Sequence, residues 1–371
     1  MKNKIISFIL VLLIIGMLGV LGILGYIIYI EITEQGTLQI TFEENTGFPT
    51  IEYIPSSNTG IIIDENLFDD TSDTQSIAGN NSVKSKYLYE QLDDTAKIIY
   101  KKLYEEKDNL KTGTYKVDFG NTFQTLLSQE NGDKELKEQY QTAIEALVYE
   151  NPDIFYLDVT KMYINIEKIT KITGVRYNVY IDNGNEICYL TDGFYSKEDV
   201  EEYENKIEQI KNQIIVQIAE KDDYTKIKLV HDYLIDSIEY DDTLRENNIY
   251  DIYGALVNKK CVCEGYAKAF QYIMQEAGIE TVIIIGTGTN SRNETESHAW
   301  NYVNLNNKWY AIDVTWDDPI ISGGGILTNK SRYEYFLKGS QTMNENHVPS
   351  GRFTEKGKIF KYPELSIEDY E

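Results

Sequence analysis

Two alternating runs joined by a pair of asparagines constrain the fold of this chain more than any other stretch. His298-Ala299-Trp300-Asn301-Tyr302-Val303-Asn304-Leu305 leads through Asn306-Asn307 into Lys308-Trp309-Tyr310-Ala311-Ile312-Asp313-Val314-Thr315. Both runs are rich in aromatic and β-branched residues, and asparagine tolerates positive φ, so the stretch predicts a hairpin with a two-residue loop. Such a loop pairs Leu305 with Lys308, Val303 with Tyr310, Trp300 with Asp313 and His298 with Thr315. Side chains alternate faces with period two, which puts His298, Trp300, Asp313 and Thr315 on one face. Asp313 then lies diagonally from His298, about 7–8 Å away between backbones, a gap the two side chains can close. A slip of one residue would send them to opposite faces. The bland alternative is a polar pair in a sheet, and the hairpin alone does not decide.

Cys263 adds the third group. It is followed by Ala267, Phe270, Met274 and Ala277, one apolar helix face, with Gly278 as the stop; Glu280 to Ile285 then reads as a buried strand. A cysteine at a helix N-terminus meets free N–H groups and the positive end of the dipole, which favour a thiolate. Thiol, imidazole and carboxylate are the parts of a nucleophilic acyl-transfer site. The competing reading is a small buried hydrophobe, the commonest role of a free cysteine. A Cys261–Cys263 disulfide would be strained. Cys261, Cys263, His298 and His347 have enough ligand atoms for zinc, but Cys-x-Cys is not a zinc knuckle and no second pair follows, so neither a metal nor a cofactor is expected. His231, beside Ile227, Val230, Leu234 and Ile238, reads as a satisfied core histidine.

These residues resemble the transglutaminase-like superfamily, a branch of the papain-like cysteine acyltransferases, in four blocks of the right order. They are His231-Asp232-Tyr233-Leu234 leading to Glu239-Tyr240-Asp241; Tyr253-Gly254-Ala255-Leu256 through Val262-Cys263-Glu264-Gly265-Tyr266-Ala267; Ser297-His298-Ala299-Trp300-Asn301; and Ile312-Asp313-Val314-Thr315-Trp316-Asp317-Asp318-Pro319. Together they cover about a third of the chain, residues 222–340. The resemblance implies an α+β core with the nucleophile helix packed on an antiparallel sheet, Cys263 as nucleophile rather than Cys261, His298 as base and Asp313 as orienting acid. Trp300, Tyr266, Trp316 and Tyr240 are carried as cleft or supporting residues. Tyr335-Phe336-Leu337 and His347 resemble the tail of bacterial members, and no catalytic role is carried onto His347. The implied activity is acyl transfer on protein or peptide amides, with peptidase-like hydrolysis favoured over amine crosslinking, and a non-catalytic surface scaffold as the third reading.

Around this core the chain organises itself by composition. Residues 5–30 carry no charge and are rich in Ile, Leu and Val, long enough to span a bilayer. Lys2 and Lys4 precede the run and Glu31 and Glu34 follow it, so a cytoplasmic N-terminus (1–4) and an extracytoplasmic remainder are expected, on a surface of the Gram-positive type. The run is too long for a signal-peptide core and no small-x-small cleavage site follows. Residues 31–83, with Ser, Thr, Asn, Asp and Gly clusters, read as a flexible stalk, a short strand near Leu38–Phe42 excepted. Residues 84–196 read as a small α+β domain with helices near Lys86–Lys107 and Lys134–Tyr149 and strands near Ile154–Ile166, Thr173–Ile181 and Glu186–Thr191, the last holding Cys188. A connecting helix, 197–221, leads to the catalytic domain, 222–371, in which Gly286–Ser297 reads as a polar, glycine-rich loop. The net charge of −25 excludes nucleic acid as a natural partner. Three cysteines in 371 residues make no disulfide framework.

Overall fold

The computed structural model describes residues 36–42, 49–55, 60–63, 86–172, 174–318, 332–351, 353 and 358–371. The apolar run at residues 5–30 and most of the stalk lie outside the described residues. Among the described residues no helix is long and apolar enough to cross a membrane. Two units are distinguished, residues 1–60 with 319–333, and residues 61–318 with 334–371. In the first, strands β1 (Gly36–Phe42) and β2 (Pro49–Pro55) pair antiparallel from Gly36↔Pro55 to Phe42↔Pro49. β1 is the short strand expected near Leu38–Phe42, and β2 is one that the stalk reading did not expect; its run Thr-Ile-Glu-Tyr-Ile alternates with a period of two, a strand signal.

The second unit opens with helix α1 (Asp94–Glu105), strand β3 (Val117–Gly120), helix α2 (Gly132–Glu150) and strands β4 (Tyr163–Lys171) and β5 (Gly174–Asp182). The three strands form a sheet in the order β3-β5-β4. α2 buries Leu136, Tyr140, Ala143, Ile144 and Leu147, spaced for one helix face. The long helix expected over Lys86–Lys107 is broken. Residues 89–91 form a separate 3-10 turn, because the Glu150 carboxylate accepts the N–H groups of Leu88 (2.6 Å) and Tyr89 (3.0 Å). The strand expected at Glu186–Thr191 is also absent, apart from one bridge between Leu157 and Leu190. Its backbone is satisfied by loops instead: Tyr189 N–H donates to Gly113 O and Thr191 N–H to Tyr156 O, each at 2.9 Å. Cys188 thus lies in irregular chain. Of Ile154–Ile166, only the part from Tyr163 onward is strand.

Helix α3 (Lys197–Ile218) buries Ile207, Ile210, Ile214 and Ile218 and starts where the Ser196 hydroxyl accepts the Asp199 N–H. Helix α4 (Asp223–Ser237) starts likewise on Asp222. Strands β6 (Glu239–Tyr240) and β7 (Lys260–Cys261) pair in parallel and deliver the chain to helix α5 (Cys263–Glu276). Then come β8 (Thr281–Thr289), β9 (Thr295–Leu305), β10 (Lys308–Ile312) and β11 (His347–Pro349), an antiparallel sheet in the order β10-β9-β8-β11. α5 packs on this sheet through Ala267, Ile283 and Ala299, and Asn301 Nδ2 donates to Ala267 O at 3.0 Å.

The asparagine turn forms as its sequence requires, with φ of 56° at Asn306 and 61° at Asn307 and the pairs Leu305↔Lys308 and Val303↔Tyr310 in register. The expected loop at Gly286–Ser297 is mostly strand, and only residues 290–294 turn. Gly286 and Gly288 sit in β8 because neighbours occupy the space of a side chain. A Cβ on Gly286 would lie 2.2 Å from Val348 O, and one on Gly288 2.7 Å from the Trp316 ring.

Candidate active site

Cys263 is the first residue of α5, behind an extended Val262. The turn into the helix is crowded. Val262 N–H donates to Ile249 O at 3.0 Å, and a Cβ on Gly265 would stand 2.5 Å from Cys261 Cβ and 2.8 Å from Ile249 O. Only glycine lets the helix start this close to the 249 loop and β7. Cys261 is buried, Cys263 is partly exposed, and both are free thiols.

His298 and Asp313 meet, though not across the ladder that the hairpin register predicts. β10 ends at Ile312↔Asn301, so the pairings Trp300 with Asp313 and His298 with Thr315 do not form. Asp313 turns out of the strand instead. Its N–H donates to Tyr335 O at 3.2 Å, and its Oδ1 accepts the N–H groups of Thr315 (3.0 Å) and Trp316 (3.1 Å), the local turn that aspartate favours. Asp313 Oδ2 is left facing His298 Nε2 at 2.5 Å, with both side chains almost wholly buried. Cys263 lies near enough to His298 to help hold up its pKa. With Nε2 taken by the carboxylate, Nδ1 is the nitrogen left for sulfur.

The electrostatics favour charge on this pair. Burial works against an imidazolium at His298, but the Asp313 charge and hydrogen bond, helped by Cys263, outweigh it and hold the pKa up at about 10. Burial likewise works against the Asp313 carboxylate, yet the charge and hydrogen bond of His298, with a second bond from His347, hold it well below the usual carboxylate range.

Of the supporting residues, Trp300 is buried with its ring stacked 5.9 Å from His298, and Tyr266 is buried with its hydroxyl donating to Asp318 Oδ2 at 2.6 Å. Both act as scaffolding rather than as open cleft. Trp316 is half-buried 5.2 Å from the His298 ring. Tyr240 is half-buried over Tyr266, and burial together with nearby Cys263 and Glu296 pushes its phenol well up. His231 is a core histidine, as its helical spacing implies, with Nε2 3.0 Å from Asp317 Oδ2 and Nδ1 3.1 Å from Asp232 Oδ1.

Sequence reasoning missed the place of His347. Its Nε2 lies 2.9 Å from the same Asp313 Oδ2 that holds His298. The donor atoms of His298, Asp313 and His347 all lie within 4.8 Å of one another. Both imidazoles are hydrogen-bonded to the one oxygen, and an ion bound there would have to displace both Nε2 protons. Beside the nucleophile's helix runs a cavity of about 500 Å3, walled by Tyr149, Phe155, Ile249, Tyr250, Glu264 and Phe353.

The stretch that carries this geometry matches the family model of the Transglutaminase-like superfamily over residues 212–314, which takes in Cys263, His298 and Asp313. Residues 212–314 are a transglutaminase-like core. The chain is 26% identical over 148 residues to the kyphoscoliosis peptidase of Mus musculus and 25% over 145 residues to that of Homo sapiens, covering 35% of this chain in each case. It spans about a fifth of the length of those relatives, 21%. A solved TGase structure aligns over 48% of this chain and 50% of its own, with a TM-score of 0.29 and 15% identity. The transglutaminase-like core ends before β11, so His347 lies outside the matched span.

Proposed function

We propose that the chain is a cysteine acyl-transfer enzyme that hydrolyses protein or peptide amides, with Cys263 as nucleophile, His298 as base and Asp313 as orienting acid. The observation that carries this reading is one imidazole bonded to a buried carboxylate beside a free thiol at a helix start. His298 takes the thiol proton as the sulfur attacks the amide carbonyl, and a C–S bond forms. The oxyanion faces the Cys263 N–H and its neighbours in the first turn of α5, which have no carbonyl partner inside the helix. His298 passes its proton to the departing amine as the C–N bond breaks. It then takes a proton from water, which attacks the thioester and frees the acid and the thiol. The cavity beside α5, walled by α2 and the 152–160 and 244–251 segments and reaching α5 at Glu264 and Lys268, has room for a peptide side chain.

The reading includes a place for the enzyme: anchored by residues 5–30, with the catalytic unit outside the cytoplasm. Its support is the charge asymmetry around an uncharged run. Carbonate extraction of membranes should leave the full chain in the pellet, and release into the supernatant would reject the anchor.

The decisive assay incubates the protein with a peptide library and a labelled primary amine, alongside Cys263→Ala. Hydrolysis without amine incorporation, lost in the variant, is expected. Incorporation of label would reassign the enzyme to crosslinking. Activity that survives in Cys263→Ala would sink the mechanism.

A further inference from the structure

We infer that His347 is a positioning residue of the acyl-transfer site, holding the Asp313 carboxylate in the orientation that aims His298 at Cys263. This rests on the function proposed above and extends it to a residue outside the transglutaminase-like match.

The argument begins with the acceptor. A carboxylate has about four lone-pair directions. Asp313 fills all four: Thr315 N–H and Trp316 N–H on Oδ1, His298 Nε2 and His347 Nε2 on Oδ2. The two backbone bonds fix one oxygen, but they leave the plane of the group free to rock about that edge. His347 closes that freedom, since a second donor at 2.9 Å on the oxygen that binds His298 determines where that oxygen points. A carboxylate and an amide oxygen both accept only, so His347 donates from both ring nitrogens, Nε2–H to Asp313 Oδ2 and Nδ1–H to Asn346 Oδ1 at 2.7 Å. The Asn346 amide donates in turn to the Tyr335 hydroxyl at 2.7 Å.

His347 is itself rigidly held. It is about 1% exposed and stands on β11, with His347 opposite Gly288 of β8. Its ring lies 4.5 Å from that of Trp316, 5.0 Å from Trp300 and 5.2 Å from Tyr335. It can reach Asp313 from the far edge of the sheet because β8 is bare there. A Cβ on Gly288 would stand 3.4 Å from His298 Cδ2 and 2.7 Å from Trp316, in the space where these rings meet.

The test compares His347→Gln, which keeps a donor near the Nε2 position, with His347→Leu and His347→Phe, which fill the space without one. Each is made in the full chain and checked by near-UV circular dichroism. The readout is the rate of Cys263 alkylation by iodoacetamide between pH 5 and 9, with hydrolysis measured where a substrate is in hand. The two donor-less variants should alkylate about tenfold or more slowly than wild type below pH 7 and lose kcat with KM little changed, while His347→Gln stays within about threefold, as supporting hydrogen-bond partners behave elsewhere. Equal rates in all four proteins overturn the positioning role and leave the proposed function standing. If neither donor-less variant folds while His347→Gln does, His347 belongs to the fold and the inference falls. An unactivated Cys263 in wild type overturns both.

Discussion

At Asp313, burial and hydrogen bonding pull in opposite directions, and hydrogen bonding prevails. Four donors on one carboxylate stabilise a charge that burial alone would neutralise. Asp313→Asn tests this directly. An amide has a single accepting oxygen: aimed at the histidines, it leaves its NH2 group against the N–H groups of Thr315 and Trp316, and reversed, it leaves both imidazoles without an acceptor. We expect kcat to fall on the order of 10³–10⁴-fold with the Cys263 thiol intact, by analogy with the effect of the wrong tautomer in serine-protease triads. The pH dependence of stability has a definite sign. The His298 pKa is raised from 6.5 to about 10, so its contribution is complete below pH 6.5 and is lost as pH rises through 10. The Asp313 pKa is lowered, so its contribution is present above the ordinary 3.8 and is lost on acidification below that. Calorimetry between pH 6 and 10 should show Tm declining in wild type and a shallower decline in His298→Gln. A parallel decline would mean the pair does not carry the linkage. In the sequence, alternation along the hairpin brings His298 and Asp313 together, and resemblance singles out Cys263 as their partner. The sequence did not reveal His347, because a histidine three strands away in the sheet order leaves no local pattern.

Elements differ in how fully their own residues specify them. The β9–β10 hairpin is specified locally: alternation sets the faces, and Asn306-Asn307 supply two positive φ angles. Asn307→Val should therefore destabilise by about 1–2 kcal/mol, the cost of forcing a β-branched residue into the left-handed region, and urea unfolding measures it. A loss under 0.3 kcal/mol, within the scatter of surface substitutions, would show that the strands, not the turn, hold the register. β8 is the opposite case. Thr287-Gly288-Thr289 has the composition of a loop, and it becomes strand because Trp316 and Val348 occupy the places of the missing side chains. The absent strand at 186–191 fails for the converse reason. Its apolar residues suit a strand, but Gly113 and Tyr156 take its N–H groups before a ladder can.

Across the second unit, α2 and the 86–92 segment are tied together and to the nucleophile's helix. Gln271 Nε2 of α5 donates to Tyr149 O at 2.6 Å, and Tyr149 stacks on Phe353 at 4.0 Å. Next along α2, Glu150 accepts from Leu88, Tyr89 and the Tyr100 hydroxyl. Burial raises its pKa from 4.5 to about 7 despite those donors. The protonated form is favoured in the fold, so this contribution is present below pH 4.5 and is lost as pH rises through 7. Glu150→Gln should flatten the fall in Tm between pH 5 and 8, and an unchanged slope would assign the linkage to other groups.

The sequence by itself determined the nucleophile's helix, the hairpin, the core stripe of α4 and the turn chemistry, because each depends on residues within one or two turns of chain. Tertiary structure alone decided that Asp313 leaves its strand to cap its own turn, that a glycine pair opens β8 to two tryptophans, and that His347 shares the carboxylate with His298. Those outcomes depend on which groups approach through space and on which buried donors must be satisfied. Neither is written in the local alternation of polar and apolar residues.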